Sequence, residues 1–516
     1  MSTTFWKKVS KALFSQKTTI ILLLILQIVF LMSMIVGLIE YSQWIYYLLT
    51  AIGLALAIYI CNQDENPAYK LAWVIPLLAI PLFATVAYFL LSNQYSTKRA
   101  REEHMEICRR TMPHLRQSKR VLGALRDEDK NVYSLARYLH DYGGYPTCRN
   151  SSVRYFCDGM EKFKAMVEEL KKAKKFIFME YFIVDQGEMW SGIEKILLEK
   201  AAEGVDVRLM YDGMGSQSLL PLHYDKKLRE SGIKCYVFNP FRPLLSSIQN
   251  NRDHRKICVV DGDVAFTGGI NLADEYINRK MRFGYWKDTA VMVRGDAVWN
   301  FTMMFLQMWE VVDKTKTEND YEIYRPSKGC AEPGSTGFIC PYGDSPLDSE
   351  NVGEMVYLDI INNANDYLYI TTPYLIPNNE LVTALEYAAK KGVDVRIITP
   401  GIPDKWFCRS IAWSYYRDLL ELGVKIYEFN GFIHAKNFVS DDDTAVVGTI
   451  NLDYRSLYLH FECATYMYKT GCEQIVRQDF WDTLKQSREI TILDCDKRSL
   501  FSCAVSAVLR MFAPLL

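Results

Sequence analysis

The stretch that decides the fold is HRKICVVDGDVAFTGGIN, from His254 to Asn271, because its pattern returns as HAKNFVSDDDTAVVGTIN, from His434 to Asn451. In both copies the histidine is followed by a lysine after two residues, an aspartate after seven, a glycine after fourteen and an asparagine after seventeen. The chain has only 7 histidines among 516 residues. Chance is therefore a poor explanation for two of them beginning the same pattern.

The types of residue in the pattern fit chemistry at phosphorus. Histidine and lysine two positions apart on a strand point to the same face. An imidazole can attack phosphorus or donate a proton, and an ammonium group stabilises charge on phosphate oxygens. The candidate catalytic residues are His254, Lys256, Asp261, His434, Lys436 and Asp441.

The other residues of the pattern have structural interpretations beside the chemical ones. Asp261 opens an Asp-Gly turn before the strand-like stretch Val264–Thr267, so it can hold the turn instead of reacting. A glycine without a side chain would let the backbone approach a phosphate closely. The candidates for binding or orienting phosphate are Gly268, Gly269, Asn271, Gly448, Thr449 and Asn451.

The repetition extends beyond the motif. The sequence GVDVR occurs at Gly204–Arg208 and again at Gly392–Arg396, and Glu230–Asn239 resembles Glu421–Asn430. Strand-like and helix-like stretches alternate around these matches in the same order. The pattern predicts two homologous α/β halves at residues 131–313 and 345–495, each a mostly parallel β-sheet flanked by helices. The Gly-, Pro- and Ser-rich residues 314–344 would connect them.

The first 96 residues are predicted to form a membrane anchor. Apolar stretches at residues 18–39, 44–61 and 71–91 approach the ~20 residues that a helix needs to cross the hydrocarbon core. Basic residues flank the group on both sides, which favours a cytoplasmic catalytic region and an even number of crossings. Three stretches do not match an even number, so one of them would not cross, and two or three transmembrane helices are expected in a cell membrane. A buried hairpin of soluble helices is the alternative.

Two smaller segments complete the predicted organisation. Residues 97–130 are expected to be a linker. Residues 496–516 have apolar positions at helical spacing, so this tail would lie at the membrane interface or pack on the catalytic region.

Composition excludes several classes of protein. The formal net charge of -1 does not fit a nucleic-acid binder, which normally carries a basic excess. The 13 cysteines are odd in number, form no C-x-x-C pair and do not cluster with histidine. Neither a closed disulfide framework nor a zinc site is expected.

The repeated H-x-K-x4-D, followed by G-G/T-x-N, resembles the HKD signature of the phospholipase D superfamily. The resemblance implies two halves in pseudo-twofold arrangement that share one active site and use no metal or other cofactor. One histidine would be the nucleophile and the other the general acid and then base. It also implies an acidic residue downstream of each motif that orients a catalytic histidine, and Asp288 and Glu462 match those places.

Within the superfamily the chain is most similar to bacterial cardiolipin synthases, through the apolar N-terminal region, Asn66–Trp73 (NPAYKLAW), Thr372–Pro377 (TPYLIP) and Phe512–Leu516 (FAPLL). This resemblance implies that two phosphatidylglycerol molecules from the lipid bilayer give cardiolipin and glycerol. His254 would attack phosphorus and His434 would protonate the leaving group, although the near-symmetric pattern allows the reverse.

Other functions stay open at this point. A phospholipase D-type hydrolase, or a transferase that uses another alcohol, would need the same residues. A nuclease or a transporter fits the charge and the pattern poorly, and a catalytically inactive membrane scaffold would not need two intact motifs. The sequence leaves the oligomeric state undetermined.

Overall fold

The structure is a computed structural model that describes residues 25, 42–63, 66–91, 95–216, 218–240, 247–313, 320–327 and 329–515. The chain divides into two compact units. The first unit holds residues 1–100, 241–250 and 508–516, and the second holds residues 101–240 and 251–507.

Helices make up the first unit: α1 (Ser42–Cys61), α2 (Pro67–Ala79) and α3 (Pro81–Leu91). The three helices pack around the buried side chains of Ile60, Leu77 and Ala84. Many large apolar side chains nevertheless stay exposed on these helices. They are Trp44, Tyr47, Leu48, Leu54, Ile58, Tyr59, Leu71, Ile75, Leu78 and Phe89.

The predicted transmembrane segments are not supported by the described residues. The expected span at 71–91 is two helices, because Ile80 leaves the helical conformation (φ -137°, ψ 66°) just before Pro81, where a helical backbone is disfavoured. The expected span at 18–39 lies outside the described residues except for Ile25. Within the described part of the chain, including α1 over the expected span at 44–61, no helix combines the length and apolarity needed to cross a membrane.

The first half of the second unit is a seven-stranded sheet in the order β1-β9-β7-β6-β2-β3-β4. Its elements lie close to the predicted ones, for example β2 within the strand expected at 175–184. The strands of this half, including two short ones outside the sheet, are β1 (Ser151–Phe156), β2 (Phe176–Tyr181), β3 (Asp206–Asp212), β4 (Lys234–Phe238), β5 (Arg252–Asp253), β6 (Lys256–Val260), β7 (Val264–Gly268), β8 (Trp286–Lys287) and β9 (Ala290–Gly295).

The second half repeats this arrangement in the order β10-β17-β16-β15-β11-β12-β13-β18. Its first strand falls inside the residues predicted to connect the halves, so part of that segment belongs to the second sheet. The strands are β10 (Phe338–Asp344), β11 (Tyr367–Thr371), β12 (Asp394–Pro400), β13 (Lys425–Phe429), β14 (Phe432–Ile433), β15 (Asn437–Ser440), β16 (Thr444–Gly448), β17 (His460–Tyr468) and β18 (Ser487–Ile490).

Both sheets are mixed, so the prediction of mostly parallel sheets is wrong. Among the described strands of the first sheet, β2 pairs in parallel with β3 and β3 with β4, whereas the other neighbouring pairs are antiparallel. The motif strands β6 and β7 form an antiparallel hairpin, as do β15 and β16 in the second half. The reason is the tight turn between them, since parallel neighbours need a long crossover connection.

Helices cover the sheets of both halves. The helix α11 is buried along Val298–Trp309 and packs against β6 of the first sheet and β10 of the second. Residues 97–130, predicted to be a linker, are largely helical. The helices after α3 are α4 (Tyr95–Thr111), α5 (Lys119–Glu128), α6 (Lys130–Asp141), α7 (Gly159–Lys172), α8 (Glu188–Ala202), α9 (Gly213–Ser216), α10 (Tyr224–Glu230), α11 (Val298–Val312), α12 (Val352–Asn363), α13 (Asn379–Lys390), α14 (Trp406–Glu421), α15 (Tyr454–Tyr458), α16 (Glu473–Leu484), α17 (Ile492–Asp496) and α18 (Leu500–Met511).

Two short parallel strand pairs join the halves, and we call them the cross-half pairs. The strand β5 pairs with the start of β17, with Arg252 opposite His460 and Asp253 opposite Phe461. The strand β8 pairs with β14 in the corresponding way. Each motif histidine directly follows the short strand of its own half, so the cross-half pairs fix its position against the other half.

The turns after the motif strands depend on two aspartates. Asp261 and Asp441 have left-handed backbone conformations, with φ of 54° and 52°. The Asp261 carboxylate accepts hydrogen bonds from the amides of residues 174–176 at 2.7–2.9 Å. The Asp441 carboxylate accepts from the amides of residues 365–367 at 2.7–3.1 Å. Each aspartate thus holds the start of the adjacent strand, β2 or β11.

Replacement of Asp261 or Asp441 by alanine is expected to destabilise the second unit and to leave the catalytic activity of the folded molecules largely unchanged. Three amides lose their acceptor, so the free energy of unfolding should fall by about 1–2 kcal/mol per site. Asp→Asn variants keep one acceptor oxygen and tolerate left-handed backbone, so they should lose less. Thermal unfolding together with activity per folded molecule checks this. A large loss of activity at an unchanged melting temperature would instead make the aspartates catalytic.

Candidate active site

The first motif histidine lies where the two halves meet. His254 follows β5, and its backbone amide donates to the Phe461 carbonyl at 2.9 Å, which extends the pairing with β17 by one residue. The next residue of β17 is Glu462. Its two carboxylate oxygens lie 2.9 and 3.0 Å from His254 Nδ1. The side chain of His254 is 9% exposed and that of Glu462 is fully buried.

The second motif histidine has the corresponding geometry. The His434 amide donates to the Lys287 carbonyl at 2.7 Å, next to the pairing of β14 with β8. Asp288 follows on the chain, and its Oδ2 lies 2.7 Å from His434 Nδ1. Both histidines therefore use Nδ1 for a carboxylate, which leaves Nε2 as the reactive nitrogen.

Each carboxylate comes from the half opposite to its histidine. Glu462 of the second half pairs with His254 of the first, and Asp288 of the first half pairs with His434 of the second. All four residues are predicted from the sequence, whereas this exchange between the halves is not. The cross-half pairs are its cause, because they bring β17 beside His254 and β8 beside His434.

The motif lysines share the buried site. Lys256 and Lys436 are each 1% exposed, and each Nζ donates to the carbonyl of the histidine two residues earlier. Burial lowers the pKa of Lys256 to about 8 and that of Lys436 to about 7, although the nearby carboxylates of Glu462 and Asp288 oppose the change. The charge of Lys436 is therefore sensitive to pH close to neutrality.

The histidines are neutral in this environment. Burial, followed by the charges of Lys256 and Lys436, lowers the pKa of His254 well below 6.5. Burial and Lys436 lower the pKa of His434 to about 4, while Asp288 opposes them. Burial alone would raise the pKa of Asp288, but His434 and Lys436 lower it, so Asp288 stays ionised.

The residues after the glycines differ between the halves. A Cβ at Gly269 would lie 2.0 Å from Asp288 Oδ1, so glycine is needed there to admit the carboxylate. The matching Thr449 donates its hydroxyl to Glu462 Oε2. Gly269 and Thr449 therefore orient the carboxylates by different means, by leaving room in one half and by hydrogen bonding in the other.

The two motif asparagines also differ. Asn271 accepts from the Ile183 amide at 3.0 Å and donates to the Tyr276 hydroxyl at 2.7 Å. Asn451 is 5% exposed, and its Oδ1 has no hydrogen-bond partner among the described residues. Asn271 is thus held by the fold, whereas Asn451 keeps hydrogen-bonding capacity for another molecule.

Two of the predicted glycines have a structural reason to be glycine. A Cβ at Gly268 would lie 2.4 Å from the Thr289 carbonyl, and one at Gly448 would lie 2.5 Å from the Cys463 carbonyl. The absence of a side chain at each position lets neighbouring strands approach each other. Asp261 and Asp441 lie at the far ends of the motif strands from the histidines, with their carboxylates bonded to backbone amides. This placement supports their structural role and not the catalytic one.

Sequence reasoning missed the ring side chains that surround the histidines. Phe182 and His460 lie 5.0 and 5.5 Å from His254 between ring centroids. Trp286 and Tyr276 lie 5.4 and 5.5 Å from His434. A signal existed for His460 and Trp286, because each precedes a predicted carboxylate by two residues and so points to the same face of its strand.

Possible metal ligands overlap with the histidine–carboxylate pair. In the described part of the chain one group of three donors qualifies, made by His254, His460 and Glu462, whose ligand atoms lie within 4.8 Å of one another. An ion bound through His254 Nδ1 would have to replace the hydrogen bond from this nitrogen to Glu462. The same atoms therefore serve either the ion or the orientation of the histidine.

The comparisons with known proteins agree with this site. The family model described as cardiolipin synthase, PLD-like domain matches residues 166–309 and 357–484, which contain both motifs. The chain belongs to the bacterial cardiolipin synthase family of the phospholipase D superfamily. It is accordingly an enzyme of the phosphatidyltransferase class. A second family model, phospholipase D-nuclease N-terminal, matches residues 51–93 of this phospholipase D-like chain.

Individual relatives cover most of the chain. A cardiolipin synthase of Geobacillus sp. (strain WCH70) is 33% identical over 89% of this chain and 91% of its own length. A Streptococcus mutans protein without an assigned function is 48% identical over 89% of this chain and 99% of its own length. The crystal structure of a Haemophilus influenzae phosphatidylserine synthase matches with a TM-score of 0.56 at 14% identity and covers 75% of this chain and 98% of that chain, which shows a shared fold.

Oxyanion binding should weaken as pH rises, because Lys436 loses its charge above a pKa of about 7. Tungstate keeps its charge between about pH 7 and about pH 9.5, so a change of its affinity over this range reports the titration of groups on the protein. The dissociation constant should rise by at most about tenfold per pH unit for one such group. Isothermal titration calorimetry measures it.

The Lys436→Arg variant should reduce this pH dependence to the part that comes from Lys256, whose pKa is about 8, because arginine stays charged throughout the range. An exposed lysine of α7 supplies the control, since Lys171→Arg should behave as the unmodified enzyme. An affinity that is constant with pH, or an unchanged slope in Lys436→Arg, would contradict the role given to this lysine.

Proposed function

We propose that this enzyme transfers a phosphatidyl group from one phosphatidylglycerol to another, giving cardiolipin and glycerol through a phosphohistidine intermediate. The observation that carries the proposal is the pair of buried histidines, each bonded at Nδ1 to a carboxylate of the opposite half. Two such imidazoles beside two lysines suit a displacement at phosphorus, in which one imidazole is the nucleophile and the other is the general acid and then the general base.

In the first step His254 Nε2 forms a bond to phosphorus, and the bond from phosphorus to the glycerol oxygen breaks. His434 gives its proton to that oxygen. Glu462 stabilises the positive charge that develops on His254 through the bond to Nδ1. Lys256 and Lys436 stabilise the phosphate oxygens.

In the second step a hydroxyl of another phosphatidylglycerol takes the place of the departed glycerol. His434 removes the proton of this hydroxyl, the oxygen bonds to phosphorus, and the bond from phosphorus to His254 breaks. Both histidines return to their starting states. No cofactor is consumed, and ping-pong kinetics follow from the covalent intermediate.

The electrostatics support this assignment of roles. The largest influences on His254 all lower its pKa, so it stays an unprotonated nucleophile. Asp288 opposes the lowering at His434, which makes His434 the easier of the two to protonate. A substrate phosphate adds negative charge to the site and raises this pKa further, so the acid forms where it is needed.

We propose that residues 1–96 hold the enzyme at the bacterial cell membrane, where its lipid substrates are, with the catalytic unit on the cytoplasmic side. The large apolar side chains exposed on α1, α2 and α3 support an apolar environment for this unit. Residues 51–93 also match the family model called phospholipase D-nuclease N-terminal, which is consistent with a membrane-holding role that related proteins share.

A lipid product assay tests the reaction. The full chain in mild detergent is given phosphatidylglycerol vesicles without divalent metal, and products are resolved by mass spectrometry. Cardiolipin with equimolar glycerol is expected, and His254→Ala and His434→Ala should each lose at least about a hundredfold of the rate. Phosphatidic acid alone would mean that water is the acceptor, another phosphatidyl ester would mean another alcohol, and no turnover would favour a scaffold.

A substrate with a good leaving group separates the two histidines. Nitrophenolate leaves from phosphatidyl-p-nitrophenol as a stable anion, so this step needs no general acid. The His434→Ala variant should therefore release one equivalent of nitrophenolate rapidly and retain a phosphatidyl group on His254. Stopped-flow absorbance follows the burst, and mass spectrometry at alkaline pH finds the modified peptide. His254→Ala should give no burst. A burst from His254→Ala with label on His434 would reverse the roles.

A further inference from the structure

A third histidine lies in the pocket of His254. His460 is the first residue of β17 and precedes Glu462 by two positions, so both side chains project from the same face of the strand. The ring centroids of His460 and His254 are 5.5 Å apart with an interplanar angle of 42°. The side chain of His460 is 10% exposed. The imidazole thus lies alongside the proposed nucleophile.

The ring of His460 is polar but unbonded. Neither Nδ1 nor Nε2 has a hydrogen-bond partner among the described residues. Glu462 Oε1 is 3.7 Å from Nδ1, which is too far for a hydrogen bond. Buried polar groups in native proteins are nearly always bonded, and an unbonded one costs free energy. A ligand that supplies the missing partner would offset this cost.

The first half provides an internal comparison. Trp286 precedes Asp288 by two residues, as His460 precedes Glu462, and its ring lies 5.4 Å from that of His434 at 46°. Trp286 also packs against Tyr276 and Phe432, at 4.7 and 4.6 Å. An aromatic ring therefore satisfies the packing beside a motif histidine. The two nitrogens of His460 are not required for packing.

We propose that His460 is a further phosphate-binding residue, which donates an N–H to a non-bridging oxygen of the phosphoryl group that His254 attacks. This inference rests on the proposed function and extends it. In an in-line displacement the attacking nitrogen and the leaving oxygen lie on opposite sides of phosphorus, and the other oxygens lie around the equator. A ring alongside the nucleophile faces those equatorial oxygens and not the leaving group.

The protonation state of His460 suits this role. Burial lowers its pKa to about 3, so near neutral pH the ring carries one N–H and no charge. A neutral donor can bind a phosphate oxygen without adding a third cation to Lys256 and Lys436.

Oxyanion binding measures this role without any lipid turnover. Tungstate affinity of the full-length enzyme is determined by calorimetry for His460→Phe, which keeps a ring but no donor, and for His460→Asn, which keeps a donor but no ring. The phenylalanine variant should bind about tenfold more weakly or worse, as for a lost hydrogen bond to a charged group. The asparagine variant should stay within about threefold, and kcat/KM for phosphatidylglycerol should follow the same order.

His140→Phe is the matched control, since it makes the same replacement at a histidine of α6 whose Nδ1 pairs with Asp141. Its tungstate affinity should change less than about twofold. Thermal unfolding identifies any variant that fails to fold, and His460→Gln then replaces it as a second ring-free donor. An unchanged affinity in a folded His460→Phe would overturn the proposal, as would an equal loss in His460→Asn and His460→Phe.

The two proposals can fail separately. If the unmodified enzyme turns over no lipid but tungstate binding still depends on His460, the proposed function is wrong and the oxyanion site stands. If cardiolipin forms and tungstate affinity does not change when His460 is replaced, the proposed reaction is supported and His460 is only a packing residue.

Discussion

The active site depends on the hydrogen bonds of the two cross-half pairs. The amide of His254 bonds to the carbonyl before Glu462, and the amide of His434 bonds to the carbonyl before Asp288. These backbone bonds fix each histidine against a carboxylate that its own half does not supply. Side-chain geometry at the pocket is therefore set by backbone pairing, which tolerates far less variation than contacts between surface side chains.

A concentrated set of buried charges surrounds these pairs. Two lysines and two carboxylates are almost completely removed from water, and such groups are stable only when they compensate each other. The same burial keeps both histidines neutral and lowers the pKa of Lys436 to about 7. Burial of these charged groups costs folding free energy. The same burial brings the pKa of Lys436 close to neutral pH, where the group can gain or lose a proton.

Much of this arrangement could be predicted from the sequence. The repeated motif identified both histidines, both lysines and the two-half organisation, because the pattern recurs at fixed spacing. The antiparallel pairing of the motif strands and the role of the motif glycines were harder to predict. Gly268 and Gly448 were interpreted as phosphate contacts, but the Cβ clashes are with neighbouring strands. Spacing along the chain does not tell which strand will lie beside a residue.

The exchange of carboxylates was also beyond the sequence. Asp288 and Glu462 each lie downstream of a motif in their own half, and nothing local indicates that they cross over. His460 had a local signal, its position two residues before Glu462. What the sequence does not show is that neither ring nitrogen has a hydrogen-bond partner in the part of the chain that the structure describes. The apolar N-terminal stretches predicted membrane helices, whereas α2 and α3 are divided at Pro81.

The exchanged carboxylates have a consequence for the order in which the enzyme is made. The hydrogen bond between His254 and Glu462 joins residues 208 positions apart. A ribosome that has released only the first half has made a histidine without its carboxylate and a carboxylate without its histidine. The nascent chain therefore holds no complete histidine–carboxylate pair until translation has passed residue 434, and it holds both only after residue 462.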